Sequence, residues 1–424
     1  MEKAILVSIE LRNDPDAWRI EDLSAELEEL SASTSVEVLE NVICLCDRVT
    51  PNYFIGTGKV EEIAFILKER QADLVIFSHN LSGTQQRNLE QALGSKVIDR
   101  TQLILDIFSQ RARSPEGKMQ VELAQLEYLL PRLSGKGVML SDLGGGIGTR
   151  GPGETKLELD RRQVRKKIAK LKEDLRKAGA HRQAIRKKRK SAKLPCVALV
   201  GYTSAGKSTL LNLLTASAQA TSEKLFTTLD PLTRNLTLPN GQAIVISDTV
   251  GFLHALPHHL IEAFKATLEE VRDADLLIHV LDVDDYRLSQ HNQAVQEVLA
   301  DLGVQEKPVL VVLNKIDLVT DQQLLESYRR DFPGAVAISA KTGQQIERLL
   351  AILEEHFSAL MLDLRLTLPH SRMDLVNFFY QHAKIKRIDY LPKGINLSVQ
   401  VSRPIFDRVK NDPELKKSTG SKKR

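Results

Sequence analysis

The chain has 424 residues, 42% hydrophobic and 27% charged, and its 59 Lys/Arg against 55 Asp/Glu leave a net charge of +4. That is the composition of a globular protein of roughly two to four domains, which excludes a largely disordered or fibrous chain. No apolar run reaches the ~18 residues of a membrane span, the N-terminus lacks a signal-peptide layout, and three cysteines cannot staple so long a chain.

Residues 1–133 are expected to form an α/β domain. Ala4–Ile9, Val36–Cys46, Asp73–Phe77 and Lys96–Ile98 are apolar, β-rich runs. Lys59–Arg70 and Thr84–Leu93 have helical spacing, and the alternation predicts parallel strands. Cys44 and Cys46 lie in one strand and Cys196 in another, where buried reduced thiols are expected. A long helix is predicted over 101–130, broken near Ser114–Gly117 where Pro and Gly punctuate. Residues 134–193 form a Gly-rich loop and a basic helical linker. Val164, Ile168, Leu171 and Leu175 repeat at helical spacing there. Gly179 is read as a turn between two helices of a basic hairpin. The charge is localised: residues 156–193 hold 17 Lys/Arg and 4 Asp/Glu, while the rest of the chain holds 42 and 51. Such a concentration is the footprint of a polyanion. Arg161, Arg162, Arg165, Lys166, Arg186, Lys187, Lys188, Arg189 and Lys190 are the candidate nucleic-acid contacts.

Residues 194–360 carry a doubly wound pattern, with strands expected at Cys196–Val200, Ala243–Ser247, Leu276–Val283, Val309–Leu313 and Ala335–Ile338. Residues 361–424 are expected to be a small α+β domain with a helix at Leu375–Lys384, a strand at Ile395–Val401 and a basic tail.

The chemistry-bearing motifs sit in the third segment. Gly201, Tyr202, Thr203, Ser204, Ala205, Gly206, Lys207 and Ser208 spell a phosphate loop between a strand and a helix that continues through Thr209. Backbone amides of such a loop cradle phosphates at a helix N-terminus. Lys207 is expected to reach the β- and γ-phosphates and Ser208 to ligate Mg²⁺. In the 248–251 motif DTVG, Asp248 is placed for Mg²⁺ and the Gly251 amide for the γ-phosphate. Asn314, Lys315 and Asp317 of NKID, with Ser339, Ala340 and Lys341 of SAK, fit guanine. A carboxylate at 317 accepts from both the N1–H and the exocyclic amine, a pair that adenine does not present. Thr228, with Thr227 as runner-up, is the candidate hydroxyl that caps Mg²⁺ when the γ-phosphate is present. Lys207, Thr228 and Gly251 are the residues assigned to the reaction. Phe252 stands where a water-orienting Gln or His would serve, so intrinsic hydrolysis is expected to be slow.

These blocks, together with LGGGIGTRGPGETKLELDRR (143–162), LFTTLDPLTR (225–234) and the run from Asp248 to Glu270, resemble the HflX family of GTPases. The resemblance covers nearly the whole chain. It implies a GTP/GDP switch that binds the large ribosomal subunit and whole ribosomes through rRNA and splits or rescues stalled ribosomes. Hydropathy, the missing signal-peptide layout and the reduced thiols predict a cytoplasmic chain with no integral membrane segment, in part peripheral to the membrane, and a monomer is expected. The alternatives are a factor for large-subunit assembly and a nearly non-catalytic GTP-binding module. The family usually carries Asn where this chain has Ser204. That Asn helps to hold K⁺ in related GTPases; K⁺ stays open as a second cation here, and the shorter Ser204 counts against it.

Overall fold

The computed structural model describes residues 2–12, 18–133, 152–191, 194–216, 226, 232–254, 265–358, 361–410 and 412. They fall into two compact units. Among the described residues, no helix is long and apolar enough to cross a membrane.

The first unit is built on a parallel sheet of order β2-β1-β3-β4. Its strands are β1 (Glu2–Leu11), β2 (Val36–Cys46), β3 (Leu74–Phe77) and β4 (Lys96–Asp99). β1 and β3 are buried on both faces, which is why they read as unbroken apolar runs rather than alternating ones. Helices α1 (Ile20–Ala32), α2 (Thr57–Arg70), α3 (Gly83–Leu93), α4 (Arg100–Arg111) and α5 (Pro115–Arg132) complete it. Ser82 caps α3 in a reciprocal box with Gln85, and Ser114 caps α5, whose first residue is Pro115. That cap is the break expected in the 101–130 run. Asp99 caps α4 with one carboxylate oxygen and takes the Leu81 amide and the Arg132 guanidinium on the other. Arg132 lies 3.4 Å over the Tyr128 ring. The Arg100–Glu26 ion pair is buried, with Nε 3.0 Å from Oε1. The three cysteines are free, and burial pushes the Cys44 thiol up to about 12.

One expectation fails here. α6 (Pro152–Ser191) is a single helix of 40 residues that runs through Gly179, not a hairpin. An interior Gly costs a helix only ~1 kcal/mol relative to Ala, and the Ala, Lys, Arg and Leu around Gly179 outweigh it. Lys167 and Lys172 pair with Glu122 and Glu127 of α5.

The second unit holds a six-stranded sheet of order β10-β9-β8-β5-β7-β6. β5 (Cys196–Val200), β7 (Ala243–Asp248), β8 (Leu276–Asp282), β9 (Val309–Asn314) and β10 (Val336–Ala337) are parallel, and β6 (Leu232–Thr237) is an antiparallel edge. β6 overlaps the end of the 225–234 motif and was not foreseen as a strand. Helices α7 (Lys207–Thr215), α8 (Lys265–Asp273), α9 (Leu288–Asp301), α10 (Gln322–Asp331) and α11 (Ile346–Phe357) accompany the sheet. The core between them includes Leu199, Leu210, Ile246, Ile278, Val312 and Leu349. A three-stranded antiparallel sheet follows, of order β11-β13-β12, from Met361–Leu368 (β11), Lys384–Leu391 (β12) and Gly394–Ser402 (β13). α12 (Met373–His382) and α13 (Arg403–Val409) cover it, burying Leu366, Phe379 and Val399. The expected mixed α/β chain with a mostly parallel GTPase sheet and a C-terminal α+β domain is therefore present.

The Glu26–Arg100 pair generates a stability prediction. Glu26→Ala strands a buried guanidinium and should lower unfolding free energy by about 3 kcal/mol in urea titration. Glu26→Leu with Arg100→Met should recover most of that loss.

Candidate nucleotide site

In a parallel sheet the strand carboxyl ends share one edge, and the motif loops of the second unit leave from that edge. β5 runs into the loop Gly201–Gly206 and then α7. Two glycines there are sterically required. Gly201 (φ 153°) would drive a Cβ into the Val280 carbonyl, and Gly206 (φ 95°) would drive one into the Asn314 amide. Ser204 takes a left-handed φ of 61° and is exposed. Lys207 is buried. Its Nζ donates to the Gly201 carbonyl at 3.0 Å and to the Tyr202 carbonyl at 2.6 Å. Burial pulls its pKa down to about 8, against the opposing charge of Asp248. Ser208 Oγ donates to Asp248 Oδ2 at 2.6 Å.

The segment after β7 is stitched to this loop. The Thr203 amide donates to the Phe252 carbonyl at 3.0 Å and the Phe252 amide to the Gly201 carbonyl at 3.1 Å. Thr249 Oγ1 donates to the Leu199 carbonyl at 2.6 Å. A Cβ on Gly251 would lie 2.7 Å from Thr203 Cγ2, so this position too must be glycine. Phe252 points into the interior, 1% exposed. Tyr202 stacks on His291 of α9 at 3.7 Å and 7°, and its hydroxyl accepts from the His254 amide. The sequence carried no sign of that stack, because the two residues are distant in the chain.

At the other end, Asn314 joins three loops. Its Nδ2 donates to the Ala205 carbonyl at 2.8 Å and its Oδ1 accepts from the Ala340 amide at 2.9 Å. Lys315 has a φ of 68° and pairs with Asp282 at 2.5 Å. Ser339 Oγ accepts from the Thr342 amide at 3.1 Å. Asp317 and Lys341 are exposed at the same edge. The structure thus collects the 201–208, 248–251, 314–317 and 339–341 motifs along one sheet edge.

Thr227 and Thr228 lie outside the described residues, as does the Gly-rich 143–151 stretch. Phe226, which belongs to the first unit, is buried and meets Phe108 edge-on at 4.5 Å and 72°. Of the basic candidates, Arg161 is half-buried, and Arg162, Arg165 and Lys166 are exposed on α6. The side chains of 186–190 lie outside the described set.

Models of four GTPase regions match in chain order. They are the GTP-binding GTPase N-terminal region (21–109), the GTP-binding GTPase middle region (111–189), the 50S ribosome-binding GTPase (196–315) and the HflX C-terminal domain (327–409). The GTPase HflX of Caldanaerobacter subterraneus subsp. tengcongensis is 45% identical over 410 residues, 97% of this chain and 93% of that protein. The chain belongs to the HflX family of GTPases. The HflX of Escherichia coli is 43% identical over 418 residues, covering 98% and 97% of the two chains. A GTP-binding protein of Sulfolobus solfataricus, solved in complex with GDP, is 25% identical with a TM-score of 0.43 over 84% of this chain and 98% of that one. As an HflX-family GTPase, this chain hydrolyses GTP to GDP and phosphate.

A buried histidine that the motifs do not mention completes the site's surroundings. His279 on β8 is fully buried, and neither ring nitrogen has a hydrogen-bond partner among the described residues. Desolvation, with a further push from Lys207, lowers its pKa to about 4. The unfolded chain therefore binds this proton at higher pH than the native one, and stability falls as pH drops from 6.5 towards 4. Wild type should lose roughly 2 kcal/mol from this group between pH 7.5 and 5 in urea titration, and His279→Leu should lose less over that range. Separately, Asn314→Ala removes both strap bonds and should weaken GDP binding by roughly tenfold or more in a fluorescence titration.

Proposed function

We propose that this GTPase binds the large ribosomal subunit and splits or rescues stalled ribosomes in a GTP-dependent cycle. The observation that carries it is that one chain holds both the nucleotide edge and the basic helix α6. That helix covers most of the 156–193 stretch, which holds 17 Lys/Arg against 4 Asp/Glu, and Arg162, Arg165 and Lys166 are exposed on it. The description of the family model over 196–315, a 50S ribosome-binding GTPase, supports the same reading. rRNA is the matching polyanion, with Arg186, Lys187, Lys188, Arg189 and Lys190 as further contacts.

In the nucleotide site, loop amides from Gly201 to Gly206 hold the phosphates, and Lys207 leaves its carbonyl partners for the β- and γ-phosphates. Ser208 and Asp248 hold Mg²⁺. A hydroxyl and a carboxylate oxygen 2.6 Å apart are the hard oxygen donors that this cation takes. When bound, the ion would neutralise phosphate charge. Thr228 is assigned as the hydroxyl that completes the set. Gly251 offers its amide to the γ-phosphate. Asn314, Lys315 and Asp317 take the guanine, with Ser339, Ala340 and Lys341 beside it. The short Ser204 side chain takes the place of an amide that reaches further, so no potassium effect is assigned.

The test is GTP turnover by the full chain alone, with large subunits and with whole ribosomes, in potassium and in sodium. Strong stimulation by large subunits with equal rates in the two salts is expected. Bound GTP without stimulation would defeat the ribosome assignment. Lys207→Ala should abolish nucleotide binding or turnover. Reversing charge at Arg186, Lys187, Lys188 and Arg189 should flatten the salt dependence of ribosome binding by roughly one log-log slope unit for each phosphate no longer neutralised.

A further inference from the structure

Hydrolysis of GTP needs a water held in line with the γ-phosphorus. The position after Gly251 gives no help, because Phe252 is apolar and its side chain is turned into the interior. A polar group beside Gly251 could take that task, and the three heavy atoms nearest a Cβ there all belong to Thr203. Its Cγ2 lies 2.7 Å from where a Gly251 Cβ would sit. Thr203 is 6% exposed, and its Oγ1 is inaccessible with no hydrogen-bond partner among the described residues. Other buried hydroxyls nearby are used: Thr249 bonds the Leu199 carbonyl and Ser208 bonds Asp248. A buried hydroxyl without a partner in a native fold calls for an explanation, and a ligand is one.

We propose that Thr203 is a catalytic residue of GTP hydrolysis, its hydroxyl bonding the terminal phosphate and the attacking water beside Gly251. This rests on the assignment of Gly251 to the γ-phosphate made above. A hydroxyl has one donor and two acceptor lone pairs, so it can donate to a phosphate oxygen while accepting from the water. The water oxygen bonds to the γ-phosphorus. The bond from that phosphorus to the bridging oxygen breaks, and its electron pair leaves with GDP. The proton from the water ends on the released phosphate, and Thr203 is unchanged. The backbone holds the group in advance. The 203 amide is tied to the Phe252 carbonyl, the Phe252 amide to Gly201, and the adjacent Tyr202 ring to His291. The backbone anchors are thus in place before the charge develops, and only the hydroxyl, inaccessible in this structure, has to turn about χ1 to reach the phosphate.

Two substitutions separate hydroxyl from packing. Thr203→Val keeps the methyl beside Gly251 and removes the hydroxyl, and Thr203→Ser does the reverse. Thr203→Ala removes the hydroxyl and the methyl together. In full-length protein, single-turnover GTP hydrolysis would be followed with and without large subunits, alongside affinity for a fluorescent GDP and thermal melting. Val and Ala variants should hydrolyse roughly 10²-fold more slowly with GDP affinity unchanged, and Ser should keep most of the rate. Wild-type or faster turnover in Val and Ala overturns the proposal. So does an equal fall in Val and Ser, or a loss of GDP affinity in step with the rate. Lys207→Ala separates the two levels. If it binds GDP and turns over GTP as wild type does, the nucleotide-site assignment itself fails. If it loses binding or turnover while Thr203→Val turns over normally, only the role of Thr203 falls.

Discussion

Two hydrogen bonds from one buried amide organise the nucleotide edge. Asn314 ends β9, yet it donates to the phosphate-loop carbonyl of Ala205 and accepts from the Ala340 amide after β10. Three loops from three strands are thereby held at fixed separation. This works only because a parallel sheet delivers every strand end to the same side. It also explains the demand for glycine at 206, where a side chain would displace the Asn314 amide. The loops after β5, β9 and β10 are thus tied into one frame.

The opposite end of the site is built by backbone. Thr203, Phe252 and Gly201 exchange amide and carbonyl bonds, so the start of the 248–254 segment moves with the phosphate loop or not at all. Side chains are then used differently on either side of Gly251. Phe252 seals the interior, while the Thr203 hydroxyl has no partner among the described residues. The buried hydroxyl at this end thus belongs to the loop that opens α7, and the segment after β7 is tied to that loop through its backbone.

Legibility in the sequence followed locality. Motifs whose members lie within eight residues, such as GYTSAGKS and NKID, declared their context, a strand end and the loop that follows it. Strands buried on both faces, such as Leu74–Phe77 and Cys196–Val200, were plain because their apolar runs are unbroken. β6 was hidden because LTRNLT is a half-exposed edge with little apolar content. α1 was hidden because IEDLSAELEELSA is acidic and polar, and its inward Glu26 is neutralised by a distant Arg100. Gly179 was overvalued as a breaker, since a single glycine cannot outweigh the helix-forming residues on either side of it. The Asn314 strap, the Tyr202–His291 stack and the inward lysine are long-range or conformational facts that no window of sequence contains.

The unbroken α6 has a consequence for how charge acts along it. At 1.5 Å per residue, Arg162 and Arg176 are about 21 Å apart along it, more than twice the ~8 Å over which exposed charges sense each other in physiological salt. The two positions are electrostatically independent, yet the helix fixes their spacing. Continuity of the helix, rather than the number of its charges, is what keeps that spacing constant.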